Sequence, residues 1–316
     1  MSLILVTGGC GFIGSHLSAA LIARGDAVRV LDDLSTGSRA NLAPGAELVV
    51  GDVADPASVH AAMAGVEGVV HLAAIASVQR CTEDWLGAHR VNLGGSIGVF
   101  EAAQNPGGRG PVPVVYASSA AVYGEQERLP IAEDAPARPL SAYGADKLGS
   151  ELHARVAGAV YGVPTIGFRF FNVFGPRQDP RSPYSGVISI FCDRFAAGEG
   201  VDIYGDGGQT RDFIAVSDIV AGLVAGLAAA STAAPVLNLC TGRATSVLDL
   251  ARTIAALCGV VPAIRHAPPR AGEIRHSVGS AEAAQAMLGL GAGRELGEGL
   301  AEVLAWLRAG RPGLAA

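Results

Sequence analysis

The chain has 316 residues, half of them hydrophobic and 16% charged, with a formal net charge of −6 and no basic run. That length buries a full core in one large domain or two intimate ones, and the charge excludes a nucleic-acid binder. No apolar stretch approaches the ~20 residues of a membrane span, and five cysteines (Cys10, Cys81, Cys192, Cys240, Cys258) without paired spacing exclude a disulfide framework or a zinc site and point to a reducing cytoplasm.

The first half alternates short β-branched runs with stretches of helical length. Leu3–Thr7 opens as a strand, with no charged leader and cleavage site before it. A helix over 12–24, a strand over 27–31, a strand over 46–50 and a helix over 56–64 follow. Further strands are expected at 68–72, 113–117 and Thr165–Phe170, with helices over 84–103 and Ala142–Tyr161 between them. Apolar runs without alternation belong to strands buried on both faces, hence to a parallel sheet. The β-α-β-α order is that of a doubly wound α/β fold of Rossmann type. After Phe171 the texture changes to Gly/Pro/Asp-rich loops, at 175–186 and 204–208, between short elements. The Ala-rich stretch 221–234 reads as a packed helix and its exit. We expect an NAD-binding domain at 1–168, with about 210–240 returning to it. A smaller α/β substrate-binding region, 169–209 and 241–316, should close over the sheet's C-terminal edge, where such folds bind ligands.

The segment Thr7-Gly8-Gly9-Cys10-Gly11-Phe12-Ile13-Gly14 joins the first strand to the first helix. Gly8, Gly11 and Gly14 let a tight turn form and let backbone N–H groups approach a pyrophosphate at the helix N-terminus. Asp32 ends the second strand 18 residues past Gly14, where an acid hydrogen-bonds a ribose 2′-hydroxyl. Such an acid repels a 2′-phosphate, so NAD is expected rather than NADP. Asp33 is a second acid beside it. Asp52-Val53 after the third strand either holds the adenine edge or, through Asp52, caps the next helix.

The chain contains a single lysine, Lys147, against 22 arginines. It follows Tyr143 by four residues, in Tyr143-Gly144-Ala145-Asp146-Lys147, so the two side chains share a helix face. A phenol titrates near ~10 and is a poor base at neutral pH. A lysine cation and a positive nicotinamide are expected to lower that value. Upstream, Tyr116-Ala117-Ser118-Ser119 ends a strand of the sheet, where Ser119 can bridge a substrate hydroxyl and the phenolate.

TGGCGFIG, SSAAVYG, YGADK, RFFNVFGPRQDP, YGDGGQTRDFI and RAGEIRHS together resemble the extended short-chain dehydrogenase/reductases, and within them the nucleotide-sugar 4-epimerases. The resemblance runs from about residue 3 to about residue 280. It implies tightly held NAD, with Tyr143 as base, Lys147 on the nicotinamide ribose and Ser119 assisting. It also implies cofactor contacts from Phe12, Ile13, Leu72, Ala73, Ala74, Asn92 and Phe170. On the substrate side it implies Asn172, Arg211 and Arg270 on the diphosphate and Glu273 on a ribose. Ser77, Ser118, Gly186, Val187 and Tyr204 would line the sugar and uridine pocket. Each arginine has the alternative of a surface ion pair. The implied reaction is redox-neutral: hydride leaves the sugar C4, a 4-keto sugar turns over, and hydride returns to its other face. No metal is required.

Two details narrow the reaction. Dehydratases of the family carry an acid just after the catalytic Ser or Thr, where this chain has Ala120-Ala121, and neither alanine moves a proton. In the family the residue at the Ser277 position gates the pocket near the sugar C2 substituent. A small serine admits an N-acetyl group, which points to UDP-GlcNAc and UDP-GalNAc, with UDP-Glc and UDP-Gal admissible as well. A UDP-uronate 4-epimerase is the alternative, with Arg181 available to a 6-carboxylate. A nucleotide-bound sensor that has lost catalysis fits poorly with Tyr143, Lys147 and Ser119 all present. The resemblance further implies a homodimer packed through the helices at 84–103 and 142–161.

Overall fold

The computed structural model describes residues 1–179, 186–269 and 274–310. In chain order its strands are β1 (Leu3–Thr7), β2 (Ala27–Asp32), β3 (Glu47–Val50), β4 (Gly68–His71), β5 (Val114–Ser119), β6 (Thr165–Phe170), β7 (Asn172–Phe174), β8 (Val201–Tyr204), β9 (Thr210–Arg211), β10 (Phe213–Ala215), β11 (Val236–Leu239), β12 (Thr245–Ser246), β13 (Ile264–Ala267) and β14 (His276–Ser277). The helices are α1 (Phe12–Ala23), α2 (Pro56–Met63), α3 (Val78–Glu83), α4 (Trp85–His89), α5 (Gly95–Ala102), α6 (Ala142–Tyr161), α7 (Val187–Ala196), α8 (Val216–Ala229), α9 (Val247–Cys258), α10 (Glu282–Leu288) and α11 (Leu296–Gly310).

Seven strands pair in parallel in the order β11-β6-β5-β4-β1-β2-β3. The order reverses between β1 and β4, and the crevice above their carboxyl ends is where a doubly wound sheet binds its ligand. The inner strands are mainly apolar because both sheet faces are covered, with buried polar residues such as Thr7, His71, Ser118 and Arg169 toward their carboxyl ends. Leu17 and Leu21 of α1 pack with Ile219 and Leu223 of α8 on one face. Val59 of α2, Val99 of α5 and Ala154 of α6 pack on the other. A separate core joins Phe191 of α7, Leu250 of α9 and Leu300 of α11. Short strands β9, β12 and β14 form their own sheet, as do β8 with β13 and β7 with β10.

The doubly wound fold expected from the sequence is the one observed, with three differences. The seventh strand, β11, has a short apolar run that the pattern does not separate from the Ala-rich helix before it. Strand β5 runs on to Ser119, two residues past its expected end. The helix expected over 84–103 is broken into α4, a π-helical turn at Arg90–Gly94 and α5. Gly87, Gly94, Gly95 and Gly98 weaken helix preference there, and the wide turn points Asn92 inward, where it is wholly buried. Among the described residues no helix is long and apolar enough to cross a membrane.

Candidate active site

The glycine loop is shaped for close approach. Gly8 sits at φ +71°, and a Cβ on Gly14 would lie 2.2 Å from the Gly8 carbonyl oxygen. Helix α1 follows directly on Gly11, and no side chain caps it or claims its first N–H groups. Those features fit the pyrophosphate of a dinucleotide. Phe12 and Ile13 form the first turn of that helix and are half-buried. Asp32 is buried and ties the loop together: its oxygens accept from Cys10 N at 2.9 Å and Leu34 N at 2.9 Å. Asp33 is exposed and accepts from the backbone and hydroxyl of Ser35. Asp52 does not cap α2. That cap is Asp55, while Asp52 accepts from Ala54 N at 2.8 Å in a local turn. Val53 is 6% exposed and belongs to the core against Gly95.

A buried network underlies the loop after β4. The Thr7 hydroxyl accepts from Leu72 N and Ala73 N at 3.2 and 3.1 Å, so its hydrogen goes to His71 Nδ1 at 2.8 Å. His71 Nε2 must then carry the proton, donating to Ser96 Oγ at 3.0 Å, and Ser96 donates to the Asn92 carbonyl at 2.6 Å. Burial pushes the His71 imidazole down to about 3, with the Lys147 charge adding to the effect. Asn92, expected on the cofactor, spends its side chain on the chain itself. Its Oδ1 accepts from Ile75 N at 2.8 Å and its Nδ2 donates to Ile75 O at 3.2 Å and Cys81 Sγ at 3.5 Å. It holds the loop that carries Leu72, Ala73 and Ala74, all half-buried at the crevice.

His71 gives the fold an acid sensitivity. In the unfolded chain the ring takes a proton as pH falls below about 6.5; in the fold it stays neutral to about 3. Stability from this residue is therefore complete above about 6.5 and is lost as pH falls toward 3. Between pH 7 and pH 5 the wild type should lose roughly 2 kcal/mol more than His71→Gln, which keeps one acceptor and one donor. Urea unfolding at the two pH values measures it, and equal losses in both proteins would remove His71 as the cause.

The residues expected to be catalytic come together where α6 lies across the end of β5. Ser141 caps α6 by accepting from Gly144 N at 3.1 Å, which places Tyr143 in the first turn. Lys147 is buried and its Nζ donates to the Ala117 carbonyl at 2.9 Å, with the ammonium 5.8 Å from the Tyr143 ring centre. The Ser119 hydroxyl lies beside the half-buried Tyr143 and favours its anion. Electrostatics depart from the sequence expectation. Burial drives the Tyr143 phenol up to about 12, only partly offset by the Ser119 hydroxyl. Burial also brings Lys147 down to about 8, against the neighbouring Asp146 carboxylate. The phenol is not lowered because the ammonium faces Ala117 rather than the phenol oxygen, and the low-dielectric surroundings penalise the anion.

Ser118, expected at the substrate, turns the other way. Successive strand residues point to opposite faces, so Ser118 goes into the interior and donates to Glu151 Oε1 at 2.5 Å. Phe170 is half-buried against the core. Asn172 is exposed in β7, opposite Phe213. Ser77 accepts from Arg80 N at 3.1 Å as the cap of α3. Gly186 and Val187 start α7, and Tyr204 ends β8 at 39% exposure. Arg211 donates to the Thr210 carbonyl at 2.9 Å, and its partner across the β9–β14 pair is Ser277. Arg270, Glu273 and Arg181 lie outside the described residues. Sequence reasoning missed Thr7, His71, Glu151 and Arg169. Glu151 carried a readable signal: it repeats the four-residue step of Tyr143 and Lys147.

A family model described as the NAD dependent epimerase/dehydratase family matches residues 4–240. The UDP-glucose 4-epimerase of Mycolicibacterium smegmatis is 36% identical over 312 residues, covering 96% of this chain and 98% of that protein. The Thermus thermophilus UDP-glucose 4-epimerase, solved with NAD, superposes with a TM-score of 0.88 at 35% identity, covering 97% and 99% of the two chains. The UDP-N-acetylglucosamine 4-epimerase of Methanobrevibacter ruminantium, solved with UDP-N-acetylmuramic acid, gives 0.91 at 32% identity, covering 98% and 99%.

Proposed function

Since the chain belongs to the NAD dependent epimerase/dehydratase family of extended short-chain dehydrogenase/reductases, we propose that it is a UDP-sugar 4-epimerase interconverting UDP-GlcNAc and UDP-GalNAc, with UDP-Glc and UDP-Gal also accepted. The observation that carries this reading is the convergence of Ser119, Tyr143 and Lys147 at the end of β5, on the same carboxyl edge of the sheet as the glycine loop after β1.

NAD is the cofactor; the Gly8–Gly14 loop would hold its pyrophosphate, and it would supply the hydride chemistry at the sugar C4. The chain's own residues manage the proton and the geometry. Tyr143 takes the proton of the sugar 4-hydroxyl at its phenol oxygen and later gives it back, with Ser119 aligning the two oxygens. Lys147, its ammonium 5.8 Å from the Tyr143 ring centre, would hold the nicotinamide ribose. Ala120 and Ala121 supply no acid for eliminating water. The adjacency of Arg211 and Ser277 supports a diphosphate clamp beside the sugar gate.

NMR of the anomeric protons, after incubating the purified enzyme with UDP-GlcNAc and with UDP-Glc without reductant, tests the reading. UDP-GalNAc from UDP-GlcNAc supports it in full. UDP-Gal alone removes the N-acetyl preference, and no conversion of either sinks the epimerase and sends the test to UDP-glucuronate. Ser277→Tyr should lower UDP-GlcNAc turnover on the order of 100-fold more than UDP-Glc turnover. Equal losses on the two sugars would count against Ser277 as gate.

The chain divides, in this reading, into an NAD-binding domain of 1–168 with 210–240 and a substrate domain of 169–209 with 241–316. Packing of α8 and β11 onto the main sheet, and the separate core of α7, α9 and α11, support the division. A homodimer through α4 and α6 would cover Trp85, Leu86, Leu152 and Val156, which are 70, 61, 54 and 45% exposed. Light scattering reads the mass, and a monomer would remove this part of the proposal. The five cysteines are free, which supports a reducing cytoplasm.

A further inference from the structure

Glu151 and Arg169 form an ion pair in the interior, at 2% and 6% exposure. Arg169 grips both carboxylate oxygens, Nε to Oε1 at 2.9 Å and Nη2 to Oε2 at 2.7 Å. Its Nη1 donates to the Tyr123 hydroxyl at 2.8 Å, which donates to Asn238 Oδ1 at 2.7 Å. Ser118 supplies a third donor to the carboxylate. A buried pair of this kind stabilises a fold no better than well-packed apolar residues would, so its use is sought in the geometry it fixes.

That geometry is a row. Tyr143, Lys147 and Glu151 stand at four-residue steps on one face of α6. Their partners are Ser119, Ala117 and Ser118, three consecutive residues of β5. Arg169 is the register partner of Ser118 in the neighbouring strand, and Phe170 that of Ser119. A helix fastened at Glu151 resists rolling and sliding against β5, and two of its further contacts with that strand are those of Tyr143 and Lys147.

We propose that Glu151, Arg169 and Ser118 are positioning residues that set the height and rotation of α6 on β5, and with them the places of Lys147 at Ala117 and of Tyr143 beside Ser119. This rests on Tyr143 acting as the base.

The test uses the full chain. Ser118→Ala removes the strap and leaves the ion pair, while Ser118→Thr keeps a hydroxyl. Turnover of UDP-sugar by the NAD-loaded protein is followed by NMR. The Tyr143 phenol is titrated separately, without cofactor, through ζ-13C-tyrosine resonances assigned with Tyr143→Phe. Titratable groups facing Tyr143 and Lys147 are Cys81 from α3, His71 from β4 and Asp146 from α6; those facing the Glu151–Arg169 pair are Tyr116 from β5 and Tyr123, with Arg155 of α6 acting on Tyr116 and Glu133 on Tyr123. None is altered by the Ser118 variants. Expected for Ser118→Ala are a tenfold lower kcat, a KM within twofold and a displaced Tyr143 resonance, all restored in Ser118→Thr. A lower melting temperature with kcat and the Tyr143 resonance unchanged would overturn the proposal. If Ser118→Ala does not fold, Glu151→Gln is judged by the same readouts. Should the wild type convert no UDP-sugar, the functional reading fails while the resonance still decides the positioning role.

Discussion

Replacing Tyr143 with Phe should lower turnover on the order of 1000-fold while leaving KM and the bound NAD nearly unchanged. The phenol oxygen is the one atom removed, and the ring keeps its place in the first turn of α6. Lys147 does not depend on that oxygen, because its ammonium is held by the Ala117 carbonyl at 2.9 Å. Ser119 keeps its position at the end of β5, where its hydroxyl also accepts from Ala121 N at 3.2 Å. The loss would therefore fall on the proton-transfer step alone. A variant within tenfold of wild type would mean that another group takes the proton, and Ser119 would be the next to examine. Because the phenol stands near 12 in the protein without cofactor, Lys147 and the bound nucleotide together must bring it down before it works as a base near neutral pH.

Arg169→Met should destabilise the fold by about 3–5 kcal/mol, because it leaves a buried carboxylate with its main partner gone. Glu151 would keep only Ser118, and the Tyr123 hydroxyl would lose its donor. The double variant Arg169→Met with Glu151→Leu should recover most of that loss, since two apolar side chains of similar volume need no partner. Urea unfolding of both variants measures it. A single variant within 1 kcal/mol of wild type would show that the carboxylate escapes its penalty by taking up a proton or admitting water. The stable double variant also separates stability from catalysis, since it retains a packed interior while losing the fastening of α6 on β5.

Much of the sheet was legible because its signal is local. A strand covered on both faces is apolar at most of its positions, and a tight turn into a helix N-terminus favours glycine, so β1, β2, β4, β5 and β6 and the Gly8–Gly14 loop are written in short stretches. The step from Tyr143 to Lys147 is equally local, since one helix places both on one face. The break in the helix expected over 84–103 was not legible. Four glycines lower its propensity only modestly, and the π-helical turn is decided by Asn92 finding Ile75 across the loop.

The chain order of apolar runs and the glycine spacing determined the fold class and the cofactor, and one lysine four residues from a tyrosine singled out the candidate catalytic group. Tertiary structure alone decided which neighbour of that group does what. Ser118 and Ser119 are adjacent and chemically identical, yet the packing of α6 on β5 gives one to Glu151 and leaves the other, at the strand's end, beside Tyr143. The protonation levels were decided there too. An ionised group's free energy depends on the dielectric and the dipoles packed around it from distant segments, and those surroundings exist only once the chain has folded.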